Sequence, residues 1–135
     1  MHKVTELKLG EACVTRVWLS MKALREIERF RRRGDPEGAF LKRMQRYAKA
    51  GFRKWEGGHG YPIKYEWDGV YRVRPTGGLF RIIGFYENDD RSRFIGIDAF
   101  MKKKMKLSAA ERQRIDAVAD VKRAGSWERD RDDSD

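Results

Sequence analysis

Tyr71-Arg72-Val73-Arg74-Pro75-Thr76-Gly77-Gly78-Leu79-Phe80-Arg81-Ile82-Ile83-Gly84-Phe85-Tyr86 is the stretch on which the fold turns. β-Branched and aromatic residues dominate both of its apolar runs, and Pro-Thr-Gly-Gly between them breaks regular structure. It therefore reads as two antiparallel strands joined by a turn, the second running over residues 79–87. Upstream, residues 63–67 and 70–74 flank Asp68-Gly69, a tight-turn pair that signals another hairpin. Downstream, Asn88-Asp89-Asp90 turns the chain into a further strand at 93–100. The centre of the chain is thus predicted to be an antiparallel meander.

Further toward the N-terminus, residues 13–19 (Cys-Val-Thr-Arg-Val-Trp-Leu) read as a strand. From Met21, apolar Leu24, Ile27 and Phe30 recur at helical spacing between charges, and Gly34 is placed to stop that helix. Asp35-Pro36-Glu37 offers a cap, a first-turn proline and an early acid for a second helix. Its apolar face is Phe40, Leu41, Met44, Tyr47 and Ala48, and Gly51 closes it. So short a joint predicts an antiparallel helical hairpin. Residues 51–62 are irregular. Toward the C-terminus, Ser108-Ala109-Ala110-Glu111 is a capping box. It opens a helix whose inner face carries Ile115, Val118, Ala119 and Lys122 and whose stop is Gly125.

The expected fold class is α+β. An N-terminal strand and helical hairpin pack on a curved antiparallel sheet of about four to five strands, with a C-terminal helix. Residues 1–125 form one domain. Residues 126–135 form an acidic, disordered tail in which only Trp127 is a large apolar group, and His2 is expected to be disordered too.

The chain of 135 residues carries a formal net charge of +10, unevenly spread. Its last ten residues hold five acids against two arginines, so the first 125 carry an excess of 13 positive charges. Such a body is stabilised by meeting something anionic, nucleic acid or an acidic protein, although charge can also serve solubility alone. No run approaches the roughly 20 apolar residues that span a bilayer. Residues 1–6 lack the apolar stretch of a secretory signal. Cys13 is the only cysteine, so no internal disulfide forms, and no Cys/His cluster suggests zinc. The expectation is a soluble, cytoplasmic, metal-free protein without a cofactor.

Several cations fall in the strands. Arg72 and Arg74 lie two apart and leave the same face. Arg81 sits among apolar residues and needs either an anionic partner or an opening to water. Lys102, Lys103, Lys104 and Lys106 follow the last strand, and Lys64 adds one more cation. These groups are expected on one surface, with Tyr65, Tyr71 and Phe80 close by. Cations grip phosphates and rings stack on unpaired bases, the description of a single-stranded RNA site. Simpler readings stand beside it. The lysine run also fits a solvated turn, Arg72 and Arg74 could pair with Glu66 and Glu87, and the tyrosines fit core or edge positions. His59, in Gly57-Gly58-His59-Gly60, is a possible general base or an exposed loop residue. Hydrolase, phosphate-loop, paired-carboxylate and calcium-loop patterns are absent.

Tyr71-Arg72-Val73-Arg74, the glycine turn and Leu79-Phe80-Arg81-Ile82-Ile83-Gly84-Phe85-Tyr86 are followed by Ile97-Asp98-Ala99-Phe100-Met101-Lys102-Lys103-Lys104-Met105-Lys106-Leu107-Ser108 and an Ala-rich helix. This succession resembles the RelE/HigB toxin superfamily, and within it the phage-derived HigB-like branch. The resemblance covers residues 13–125 and is most specific over 70–123. It rests on an aromatic-Arg strand, a strand ending in Phe-x-Lys-Lys, and a closing helix. It implies a type II toxin, a ribosome-dependent mRNA endoribonuclease neutralised by an acidic antitoxin of helix-turn-helix type. The implied chemistry needs no metal, because the 2′-hydroxyl attacks the adjacent phosphorus while cations stabilise the developing charge. By position, Arg81 corresponds to the arginine on the scissile phosphate. Lys102 and Lys103 match the basic pair with phosphate-stabilising or acid roles. Arg72 and Arg74 match positions that bind or orient RNA. Unlike many relatives, the closing helix here holds neither tyrosine nor histidine, so stacking and proton transfer fall to Tyr65, Tyr71 or His59. That departure leaves room for a non-catalytic RNA- or ribosome-binding protein, or a phage-encoded binder of a host factor, on the same scaffold.

Overall fold

The computed structural model describes residues 1–130. The central hairpins form as their turn residues demand. Strands β3 (Ile63–Trp67) and β4 (Val70–Val73) meet across Asp68 and Gly69, both at positive φ (52° and 82°), the backbone that two-residue hairpins require. Strands β5 (Phe80–Tyr86) and β6 (Arg93–Met101) complete the meander. Before it come β1 (His2–Glu6), β2 (Arg16–Ser20), α1 (Met21–Gly34) and α2 (Ala39–Ala50). After it come α3 (Ala109–Ala124) and β7 (Trp127–Arg129). The Ser108/Glu111 capping box is present at the start of α3, and Gly125 ends that helix in the left-handed conformation. At the joint between α1 and α2, Pro36–Gly38 is a short 3-10 turn. Gly38 is the cap of α2, while the Asp35 carboxylate accepts from the Phe40 N–H instead.

The result is a mixed α+β fold with one seven-stranded sheet in the order β3-β4-β5-β6-β2-β1-β7. Two features differ from the sequence expectation. The sheet has seven strands rather than four or five, and it is not wholly antiparallel: β2 lies parallel beside β6, and β1 parallel beside β7. The extra strands are the terminal segments. His2 is not disordered, since it pairs with Trp127 in register and its N–H donates to the Ser126 carbonyl at 2.8 Å. The segment after Gly125 likewise supplies β7, whose Trp127 ring packs 5.7 Å from Phe85. Backbone bonding to an open sheet edge and one half-buried indole suffice there, a combination too short for hydrophobic periodicity to signal. The acids Asp132, Asp133 and Asp135 lie outside the described residues.

Strand alternation divides the core. Ile82, Phe80 and Tyr86 pack in one apolar cluster with Ile27 of α1 and Phe40, Met44 and Tyr47 of α2. Ile83 and Phe85 pack in the other, with Ile115, Val118 and Ala119 of α3. Helices therefore cover both faces of the sheet. Buried Asp98 on β6 accepts two hydrogen bonds from Arg114 of α3, at 2.8 Å each, and lies 3.5 Å from Lys22 of α1.

Candidate phosphate-binding site

Cations gather at one end of the α3 side of the sheet. Arg72 on β4 and Arg81 on β5 share the face of Ile83, and Lys102 continues that face just beyond the end of β6. Arg81 is only 6% exposed. One of its guanidinium nitrogens donates to the carbonyls of Gly78 (2.8 Å) and Phe80 (3.0 Å), so the glycine turn read from the sequence holds the side chain in place. Among the described residues, no carboxylate pairs with it. Burial, first, and the neighbouring charges of Arg72 and Arg74 push its pKa down to about 10, against weaker opposing pulls from Glu66 and Glu111.

The same field acts on the neighbours. Burial and then Arg81 and Arg72 lower the Lys102 ammonium below its ordinary 10.5. Burial lowers the pKa of Arg72, which lies 3.7 Å from the Glu66 carboxylate. Four mutually repelling cations thus face two acids, and Glu111 is already committed to backbone amides. An incoming anion would relieve the repulsion, and a preformed cluster of donors spends little on ordering when it binds one. A tetrahedral oxyanion such as phosphate suits it.

Arg72 and Arg74 have a second task. Arg72 donates to the Tyr61 carbonyl (3.2 Å) and Arg74 to the Gly60 carbonyl (2.8 Å), tethering the exposed loop that carries His59. Lys64 stands opposite Arg72 in the β3–β4 register. Lys103, by contrast, contributes its backbone N–H to Glu111 (3.1 Å) while its side chain is exposed, as are Lys104 and Lys106. Within the lysine run, Arg81 acts on Lys102, while the side chains of Lys103, Lys104 and Lys106 are solvent-exposed.

The aromatic residues are elsewhere. Tyr65, Tyr71 and Phe80 each neighbour a cation in sequence, and alternation sends them to the opposite face. Phe80 stacks on Phe30 of α1 at 4.4 Å, in the core. Tyr65 and Tyr71 form an edge contact at 5.1 Å beside Tyr86. The expectation that rings and cations share one surface is therefore corrected. Glu87, weighed as a partner of the β4 arginines, instead pairs with Arg93 and Arg129. Sequence reading did not single out Arg91, which links that tyrosine group to Glu56; a turn arginine carries no pattern that would have revealed it.

Glu111 anchors the basic turn to α3 by accepting from the Ser108 and Lys103 amides. Burial raises its pKa, and these bonds together with nearby Lys102 outweigh that, holding the carboxyl below its usual 4.5. A depressed carboxyl contributes stability above its unfolded pKa and loses it as pH falls through the folded value. Glu111→Ala is expected to cost about 1–2 kcal/mol at neutral pH. Denaturant titrations of both proteins should show that gap shrinking well below the unfolded pKa. A gap constant down to about pH 3 would show that the carboxylate charge contributes nothing.

Among the described residues, no helix is long and apolar enough to cross a membrane and no group of three or more His, Cys, Asp or Glu is placed to hold a metal ion. No family model, curated protein or solved structure matches the chain.

Proposed function

We propose that this protein is a type II toxin, a ribosome-dependent mRNA endoribonuclease held inactive by an acidic, helix-turn-helix antitoxin. The observation that carries the reading is the buried Arg81, without a carboxylate partner among the described residues and electrostatically coupled to Arg72, Arg74 and Lys102. The order of strand, two helices, meander and closing helix supports it, as does the likeness of residues 70–123 to RelE/HigB toxins. In the reaction the 2′-oxygen of one nucleotide attacks the adjacent phosphorus. The bond to the 5′-oxygen breaks, leaving a 2′,3′-cyclic phosphate and a 5′-hydroxyl. Arg81 and Arg72 take the non-bridging oxygens as negative charge builds on them. Lys102, its pKa lowered, gives a proton to the departing 5′-oxygen. His59, on the loop tethered by Arg72 and Arg74, is the candidate acceptor of the 2′-hydroxyl proton.

A second reading, a non-catalytic RNA- or ribosome-binding protein, is favoured by one observation: the tyrosines lie across the sheet from the cations. Induced expression of the wild type and of the Arg81→Ala/Lys102→Ala double variant separates the two. Growth arrest with transcripts ending in cyclic phosphate, abolished in the variant, supports the nuclease. RNA binding without any cleaved transcript supports the binding protein. The nuclease also predicts an alkaline decline in rate that begins below the 10.5 of an ordinary lysine, measured as a pH–rate profile. An identical decline in Lys102→Ala would remove Lys102 as the acid.

A further inference from the structure

Between the β3–β4 turn and the β5–β6 turn a cavity of about 190 Å³ opens, lined by Tyr65, Tyr71, Asn88, Asp89 and Arg91, with Lys122 reaching in from α3 past Gly69. Its wall is rigid. Arg91 sits at φ 58°, a left-handed conformation rare for its type. It donates to the Tyr71 hydroxyl (3.0 Å) and lies 3.1 Å from Glu56, which also accepts from the Tyr86 hydroxyl at 2.6 Å. Its guanidinium stands 5.8 Å and 5.5 Å from the Tyr71 and Tyr86 rings.

Against this wall stands Tyr65, half exposed at 51%. An exposed tyrosine ordinarily samples several rotamers. Here its hydroxyl accepts from the Gly69 N–H at 3.2 Å while its ring rests edge-on against Tyr71. The open ring is thus fixed in advance, so stacking on it costs little ordering. Two charges border it, Asp89 and Lys122, and neither is in an ion pair among the described residues. An unpaired ammonium, an unpaired carboxylate and a preset aromatic face together suit a ligand with a flat ring, N–H donors and an anionic group.

We propose that this cavity binds one nucleotide, its base stacked on Tyr65, its donor edge on Asp89 and its phosphate on Lys122. An ionised carboxylate only accepts hydrogen bonds, so it favours a base with two adjacent N–H donors, as guanine has, over uracil. The nucleotide is either a free mononucleotide or one residue of a single strand; the choice of ligand class rests on the RNA reading above, although cleavage is not required.

The experiment follows the Gly69 and Arg91 amides by NMR during titration with GMP, UMP and short single-stranded RNAs with and without G. GMP is expected to shift both amides and to bind more tightly than UMP. Tyr65→Leu should weaken it about tenfold or more, while Tyr65→Phe keeps most of the affinity. Asp89→Asn should bring GMP and UMP together. Shifts from G-containing strands but not from GMP would assign the site to RNA alone. No shift at either amide with any of these ligands, or shifts undiminished in Tyr65→Leu, would overturn the proposal. The two readings fail separately. Wild-type cleavage with a silent cavity sinks this inference only, and GMP shifts in a protein that never cleaves RNA sink only the nuclease.

Discussion

Arg81→Met is expected to lower RNA cleavage about a hundredfold or more, the usual cost of deleting one preorganised donor to a developing oxyanion, while leaving the melting temperature unchanged or higher. The two halves of this expectation share one cause. At 6% exposure the guanidinium has lost its water, and its neighbours Arg72, Arg74 and Lys102 repel it. Lowering the guanidinium pKa to about 10 corresponds to a penalty on the order of 3 kcal/mol for keeping the charge there. The sign follows from proton binding. Folded Arg81 gives up its proton more readily than unfolded Arg81, so the penalty is present in full below about pH 10 and fades only as pH rises above that toward the unfolded pKa. Methionine occupies similar space without charge, offset by the two carbonyls of Gly78 and Phe80 that lose their donor. Paired measurements of cleavage rate and thermal unfolding check this. A fall in melting temperature with undiminished cleavage would make Arg81 a structural clamp for the glycine turn.

Gly84→Ala is the substitution with the largest expected effect on stability. Gly84 lies where the β5–β6 register shifts, opposite Gly96. A Cβ added there would stand 2.0 Å from the Ile95 carbonyl oxygen and 2.8 Å from the Gly96 Cα. Both are backbone, so relief requires the two central strands to part. A cost of about 3 kcal/mol or more is expected. For a domain of this size that is a loss of roughly 10 °C in melting temperature. Gly96→Ala is the control. Its Cβ would meet the Leu19 side chain at 2.6 Å and Ile82 at 3.1 Å, and these can rotate or lean away. It should cost visibly less. Equal losses in the two variants would show that side-chain crowding, and not strand separation, sets the cost.

Much of the fold was legible locally. The Asp68-Gly69 hairpin, the stop at Gly34, the capping box at Ser108 and the stop at Gly125 each depend on residues within a few positions of one another, and all four form. The terminal strands were not legible. His2–Glu6 and Trp127–Arg129 are too short to show a period, and each is stable only because the other end of the chain lies beside it. The parallel placing of β2 next to β6 is also a long-range outcome, with two helices and three strands of chain between them. Within the candidate site, alternation along β4 and β5 already separates Arg72 and Arg81 from Tyr71 and Phe80. Applying that rule to both strands at once would have kept the rings out of the cation surface.

Composition and local pattern determined, without coordinates, a basic body, its helices, its meander and an arginine lodged among apolar residues. Only the tertiary structure decided which cations meet. Arg72, Arg81 and Lys102 are brought together by strand register, while Lys103 is turned to solvent by the backbone bond it makes to Glu111. The physical reason is that secondary structure follows from neighbours in sequence, whereas the repulsion that lowers the pKa values of Arg81 and Lys102 depends on distances across strands.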